Sequence, residues 1–178
     1  MMKAIVKFFR RRAIKSFLKR KKQCILPDIK KYPSVAILLD EDQFSRHKDI
    51  EKLMANLFDL KRLTIIAYVN TLPKDVLQSD RHFFIQKGDF DFWGLMKQAK
   101  KESLISLSFD MMIDFARNDD DIYTKKYIMS LINNTFRVAF GHRCTKFYDM
   151  VIDSKNDEDM LNRIEILKNY LSMLLGQR

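Results

Sequence analysis

Glycine is scarce in this chain. There are four in 178 residues, beside three proline, two cysteine and one tryptophan. Each shortage removes a class of function. A nucleotide-phosphate cradle is built from backbone N–H groups in a glycine-rich turn. Neither G-x-G-x-x-G nor a Walker lysine loop occurs. The stretch after the first apolar run is instead "LLDEDQFS", whose acids would repel a pyrophosphate. The two cysteines, Cys24 and Cys144, make no disulfide framework, and no CxxC or HxxxH spacing suggests a zinc site. No G-x-S-x-G elbow marks a nucleophile. No metal and no cofactor is therefore assigned.

Long apolar runs are missing as well. No uncharged stretch approaches the about 18 apolar residues of a spanning helix. Charges interrupt the N-terminus every few residues, so it does not read as a signal peptide. Two scattered thiols in a Met-rich chain suit a reducing compartment. The expectation is a cytoplasmic protein, at most peripheral at the inner face of a membrane.

What is present is charge of one sign in one place. The formal net charge is +10. Residues 1–22 hold ten basic residues and no acid: Lys3, Lys7, Arg10, Arg11, Arg12, Lys15, Lys19, Arg20, Lys21 and Lys22. The other 23 Lys and Arg balance the 23 Asp and Glu, so the rest of the chain is formally neutral. Met2, Ile5, Val6, Phe9, Ala13 and Phe17 follow 3–4 spacing, which predicts a basic amphipathic helix over 1–22. Residues 23–33, with Pro27 and Pro33, read as a linker, and 34–178 as one α/β domain.

In that domain "SVAILLD" (34–40) and "KRLTIIAYVN" read as buried strands flanking an amphipathic helix with Ile50, Leu53, Met54, Leu57 and Phe58 on its stripe. Such a βαβ unit crosses right-handedly. Phe83 to Ile85, "FDMMIDFA", "FRVAFG" and "YDMVID" are further expected strands. Tyr123, Tyr127, Ile128, Leu131 and Ile132 stripe a helix. Asn156 is an expected N-cap for a closing helix whose buried face is Met160, Ile164, Leu167, Leu171 and Leu174. The fold class is α/β, a single Rossmann-like or flavodoxin-like open sheet with helices on both faces.

Three kinds of residue are candidates for function. Asp40, Asp42 and Asp114 fall at strand ends, where ligands of open α/β sheets bind. Carboxylates there serve acid–base chemistry or Mg²⁺, or else cap helices and solvate loops. A response-regulator-like phosphoacceptor site would also need a late-strand lysine, and "FRVAFGHR" offers none. The three histidines, His47, His82 and His142, are far apart in sequence. The loop "GDFDFWG" holds Phe90, Phe92 and Trp93. Large aromatics are mostly buried, so it is expected to plug the core; exposed, it would be a ligand lip or a partner contact.

The basic helix has four readings. It can lie on an anionic membrane, bind RNA or DNA phosphate, dock on a protein partner, or pack its apolar face on its own domain. The leading expectation is a non-catalytic binding or adaptor module that contacts an acidic surface, membrane or RNA. The alternative is a small enzyme or ligand-binding domain using the strand-end carboxylates. No small-molecule ligand can be assigned.

The order of "LLDED", "GDFDFWG", "FDMMIDFA", "YIMSLINNTFRVAFG", "YDMVID" and "YLSMLL" resembles an uncharacterised α/β domain family widespread in Bacteroidota. The resemblance runs over nearly the whole chain and implies a fold, with no activity attached. Over a smaller part, "FDMMIDFA…FRVAFG" is similar to the N-terminal lobe of heptosyltransferase-like glycosyltransferases. That likeness implies a Rossmann-like sheet. It argues against independent glycosyl transfer, since the second lobe of such enzymes has no counterpart here.

Overall fold

The structure, a computed structural model, describes residues 2–20, 33–57, 60, 62–72, 79, 81–115, 122–141, 146–153 and 159–176. Six strands form one parallel sheet: β1 (Ser34–Asp40), β2 (Arg62–Val69), β3 (His82–Gln86), β4 (Ser108–Asp114), β5 (Asn133–Phe140) and β6 (Met150–Ile152). Their order is β3-β2-β1-β4-β5-β6, and every neighbouring pair is parallel. This is the Rossmann order rather than the flavodoxin one, and it reverses between β1 and β4.

Parallel strands are covered on both faces, so they read as continuous apolar runs. In β1, Val35, Ile37 and Leu39 face one core and Ala36 and Leu38 the other. The first core is closed by α2 (Glu41–Phe44), α3 (His47–Leu57) and α6 (Met160–Gly176), through Phe44, Ile50, Met54, Ile164, Leu167 and Leu171. The second is closed by α1 (Met2–Arg20), α4 (Gln98–Ile105) and α5 (Ile122–Leu131), through Ile14, Leu104, Tyr127, Ile128 and Met129. Helices thus cover both faces.

The basic helix is a wall of the second core. α1 packs against α5. Ile14 is buried, and Ala13, Phe17 and Leu18 are partly buried against the same cluster. Burying one Ile side chain stabilises by about 1.5–3 kcal/mol, so α1 contributes to the fold it precedes. The expected linker lies almost wholly in 21–32, outside the described residues, as do Asn156, His142, Cys24 and Cys144.

Two elements differ from the sequence expectation. The helix after β1 is two helices, broken at Ser45 and Arg46. α4 has no apolar stripe to reveal it, because Leu104 is its one buried side chain.

Candidate functional site

The carboxyl ends of β1 and β4, where the strand order reverses, are where this fold usually receives a ligand. Asp40 and Asp114 stand there as expected. Both are engaged by the protein itself. Asp40 is the N-cap residue of α2, and its Oδ1 lies 2.5 Å from Lys125 Nζ of α5. Asp114 is fully buried, and the Tyr148 hydroxyl donates to its Oδ2 at 2.5 Å. Gln43 of α2 ties the two strands. Its Oε1 accepts from the Asp40 N–H at 3.1 Å, and its Nε2 donates to the Phe115 carbonyl at 2.7 Å. Glu41 similarly accepts from Asn70 beyond β2. α2 therefore fills the place a glycine-rich turn would occupy. Asp42 sits apart, exposed in the first turn of α2.

Among the described residues, no three His, Cys, Asp or Glu side chains are grouped to hold a metal. Two histidines distant in sequence do meet. The His47 and His82 rings are 5.4 Å apart, and His82 Nε2 is 3.3 Å from Glu51.

The second candidate is α1. Its buried side includes one of the ten cations. Arg10 Nε donates to the Gly94 carbonyl at 2.8 Å, its guanidinium bonds the Thr124 hydroxyl, and it lies 4.7 Å over the Phe90 ring. Lys7 and Arg11 flank Tyr123 of α5, 4.9 and 4.6 Å from its ring centroid. The Arg11 hydrogen bond holds the Tyr123 hydroxyl below the usual tyrosine pKa. The charges of Arg11, Lys7 and Lys126 add to that effect, against desolvation.

Opposite the docked face, Phe8, Arg12, Lys15 and Lys19 are exposed. Their spacing of four, three and four places them in one stripe along the helix. Lys3 is exposed too. Side-chain placement of Arg20, Lys21 and Lys22 lies outside the described residues.

The aromatic loop joins this helix, and the expectation that it plugs the core fails for two of its three rings. Phe90 packs toward Tyr68 at 6.0 Å, whereas Phe92 is 66% and Trp93 48% exposed. The reason is local. Asp91 closes a tight turn, its carbonyl accepting from the Gly94 N–H at 3.0 Å and its Oδ1 from the Leu95 N–H at 2.9 Å. Phe92 and Trp93 are the corner of that turn and face away from the sheet. Gly94 adopts φ +74°, and a Cβ there would stand 2.3 Å from Val6 Cγ1 of α1. Only glycine satisfies both the left-handed conformation and the close approach. Phe9 then meets Trp93 at 5.2 Å, while Phe8 meets Phe9 at 5.6 Å and Phe92 meets Trp93 at 5.4 Å. The result is a basic helix surface with an aromatic tip.

The family match covers residues 7–174. The chain belongs to DUF6913, a family of unknown function. No curated protein and no solved structure matches it. In this DUF6913 chain, sequence reasoning named the carboxylates at the strand ends but missed Lys125, Tyr148 and Gln43, which occupy them. The available signal was the α5 stretch "YTKKYIM". Its residues 124–129 are all buried, so a helix covered on two sides has to place its lysines on internal partners.

Proposed function

We propose that this protein is a binding module that contacts an acidic surface through α1. The observation that carries the reading is the exposed stripe Arg12, Lys15 and Lys19 on a helix whose apolar side is already committed to the core. Such a helix presents charge without exposing its inner face. Its partner is polyanionic, because each cation near an anionic surface adds about 1 kcal/mol of attraction. No helix among the described residues is long and apolar enough to cross a membrane. The carboxylate reading has less support. Asp114 has no exposed surface, and Asp40 is paired with Lys125.

The test is reversal of the stripe, Arg12→Glu, Lys15→Glu and Lys19→Glu together, in the full chain. The wild-type protein should be retained on heparin and released by salt, since exposed charges are screened within about 10 Å at 0.1 M. The triple variant should lose retention while keeping its urea midpoint. Unchanged retention would remove α1 as the contact.

A further inference from the structure

Building on the acidic-surface reading, we infer that the partner is an anionic lipid bilayer and that Phe8, Phe92 and Trp93 are its interfacial anchors. These three are among the most exposed large apolar side chains of the fold, at 60%, 66% and 48%. They are contributed by two elements distant in sequence. Arg10 and Gly94 join those elements, the first by its hydrogen bond to the Gly94 carbonyl and the second by its close approach to Val6. A cluster held in place by a left-handed glycine, a half-buried arginine and a capped turn is built rather than incidental. Its charge environment is cationic on the helix side, with Phe8 inside the stripe formed by Arg12, Lys15 and Lys19. The one carboxylate of the turn, Asp91, is directed back onto the Leu95 N–H.

Aromatic rings beside Lys and Arg are the composition of a membrane-water interface, where the rings sit at headgroup depth and the cations meet lipid phosphate. The alternative polyanion is single-stranded RNA, bound in basic grooves by rings whose faces stack successive bases. The present geometry fits that poorly. The rings meet one another edge to face, with interplanar angles of 82°, 61° and 82° along Phe8–Phe9–Trp93–Phe92. They stand on the convex outer side of a helix and a turn, which makes a compact apolar knob in place of a track. The docked state of α1 also sets the depth. Val6, Phe9, Ala13 and Phe17 are at most partly exposed, so only the knob enters the interface.

Trp93 is the one tryptophan of the chain, so its fluorescence reports this contact directly. The full-length protein is titrated with vesicles of phosphatidylglycerol and phosphatidylcholine, and in parallel with poly(U). Vesicle binding, a blue shift of Trp93 emission and quenching by lipids brominated near the headgroup are expected. Phe8→Ala with Phe92→Ala, which removes two exposed rings and leaves the core intact, should weaken vesicle binding about tenfold through lost apolar contact. Vesicle binding with unmoved Trp93 emission would overturn the anchor while leaving the acidic-surface reading in place. Binding to poly(U) with none to vesicles would do the same. Failure to bind either would remove both.

Discussion

Lys125 and Lys15 are both helix lysines. Lys125 Nζ is 2.5 Å from Asp40, with 2% of its side chain exposed; Lys15 faces water from α1. The same contrast runs through their surroundings. Around Lys125, at the end of the sheet where this fold usually binds a ligand, Asp40, Asp114, Gln43 and Tyr148 all have partners within the protein. Around Lys15 the cations are held apart on a helical face, beside exposed aromatic rings. Residue types that suggest chemistry are used for cohesion in the first place, while those that usually do no more than solvate a face are left available in the second. Fold position alone therefore misdirects a search for function. What separates the two regions is whether the partners of each charge are internal.

The largest expected effect comes from breaking the first region. Lys125→Met removes the cation 2.5 Å from Asp40 in a place almost closed to water. The loss should be about 3 kcal/mol, the lower end for a broken buried pair, because Asp40 keeps some exposure. Urea unfolding followed by circular dichroism measures it. Adding Asp40→Asn removes the charge that Lys125 balanced while keeping an N-cap oxygen, so the double variant should recover part of the loss. A loss of only a few tenths of a kcal/mol for Lys125→Met would make the buried pair resemble a surface pair and erase the contrast.

A smaller effect is expected at the joint between α1 and the aromatic turn. Gly94→Ala sets a Cβ against Val6 and forces a residue with a side chain into φ +74°. About 2 kcal/mol should be lost, with Trp93 emission altered. Val6→Ala in the same chain removes the closest clash, at 2.3 Å, but leaves the Val6 Cβ at 3.1 Å, so it relieves most of the steric part and none of the backbone part. Full recovery by Val6→Ala would mean that the left-handed backbone carries no cost here. No loss from Gly94→Ala would free the aromatic turn from α1 and weaken its standing as one surface.

How much of this the sequence revealed depended on the range of the interactions. β1, β2 and β4 were legible because burial on both faces leaves an unbroken apolar run, as in "AILL" and "MMID". The strand order that distinguishes a Rossmann from a flavodoxin sheet was not, since it depends on pairings such as Leu38 with Asp114 across the chain. α4 was hidden because one buried leucine makes no period. Asp40 was visible as a strand-end acid, but its partner lies on α5, the fourth helix after it. The aromatic loop was misjudged for a different reason. Average burial of Trp and Phe says nothing about a turn whose corner cannot reach the sheet, and that turn is set by Asp91 and Gly94. The basic face of α1 could be read from spacing, whereas the surface that covers its apolar side could not.

The smallest effect lies at Tyr127, beneath α1, where the docked helix and the core meet. Its hydroxyl accepts from the Met96 N–H at 3.1 Å. Burial raises its pKa above the usual 10.0, against that hydrogen bond. Tyr127→Phe should cost about 1 kcal/mol at neutral pH, the worth of one hydrogen bond whose buried donor is left unpaired. The cost should then shrink in alkali. With its folded pKa raised, Tyr127 keeps its proton longer in the folded than in the unfolded chain. Its contribution is intact below pH 10 and declines as the pH rises from there toward the folded value. The phenylalanine variant has no such titration at this position. Tyr123, and Lys100, whose pKa is lowered chiefly by burial and against Asp89, are common to both chains and cancel. Stability curves of the two proteins should therefore converge above pH 10. Parallel curves through that range would show that Tyr127 titrates alike in both states, and that the core under α1 is wetter than its 3% exposure implies.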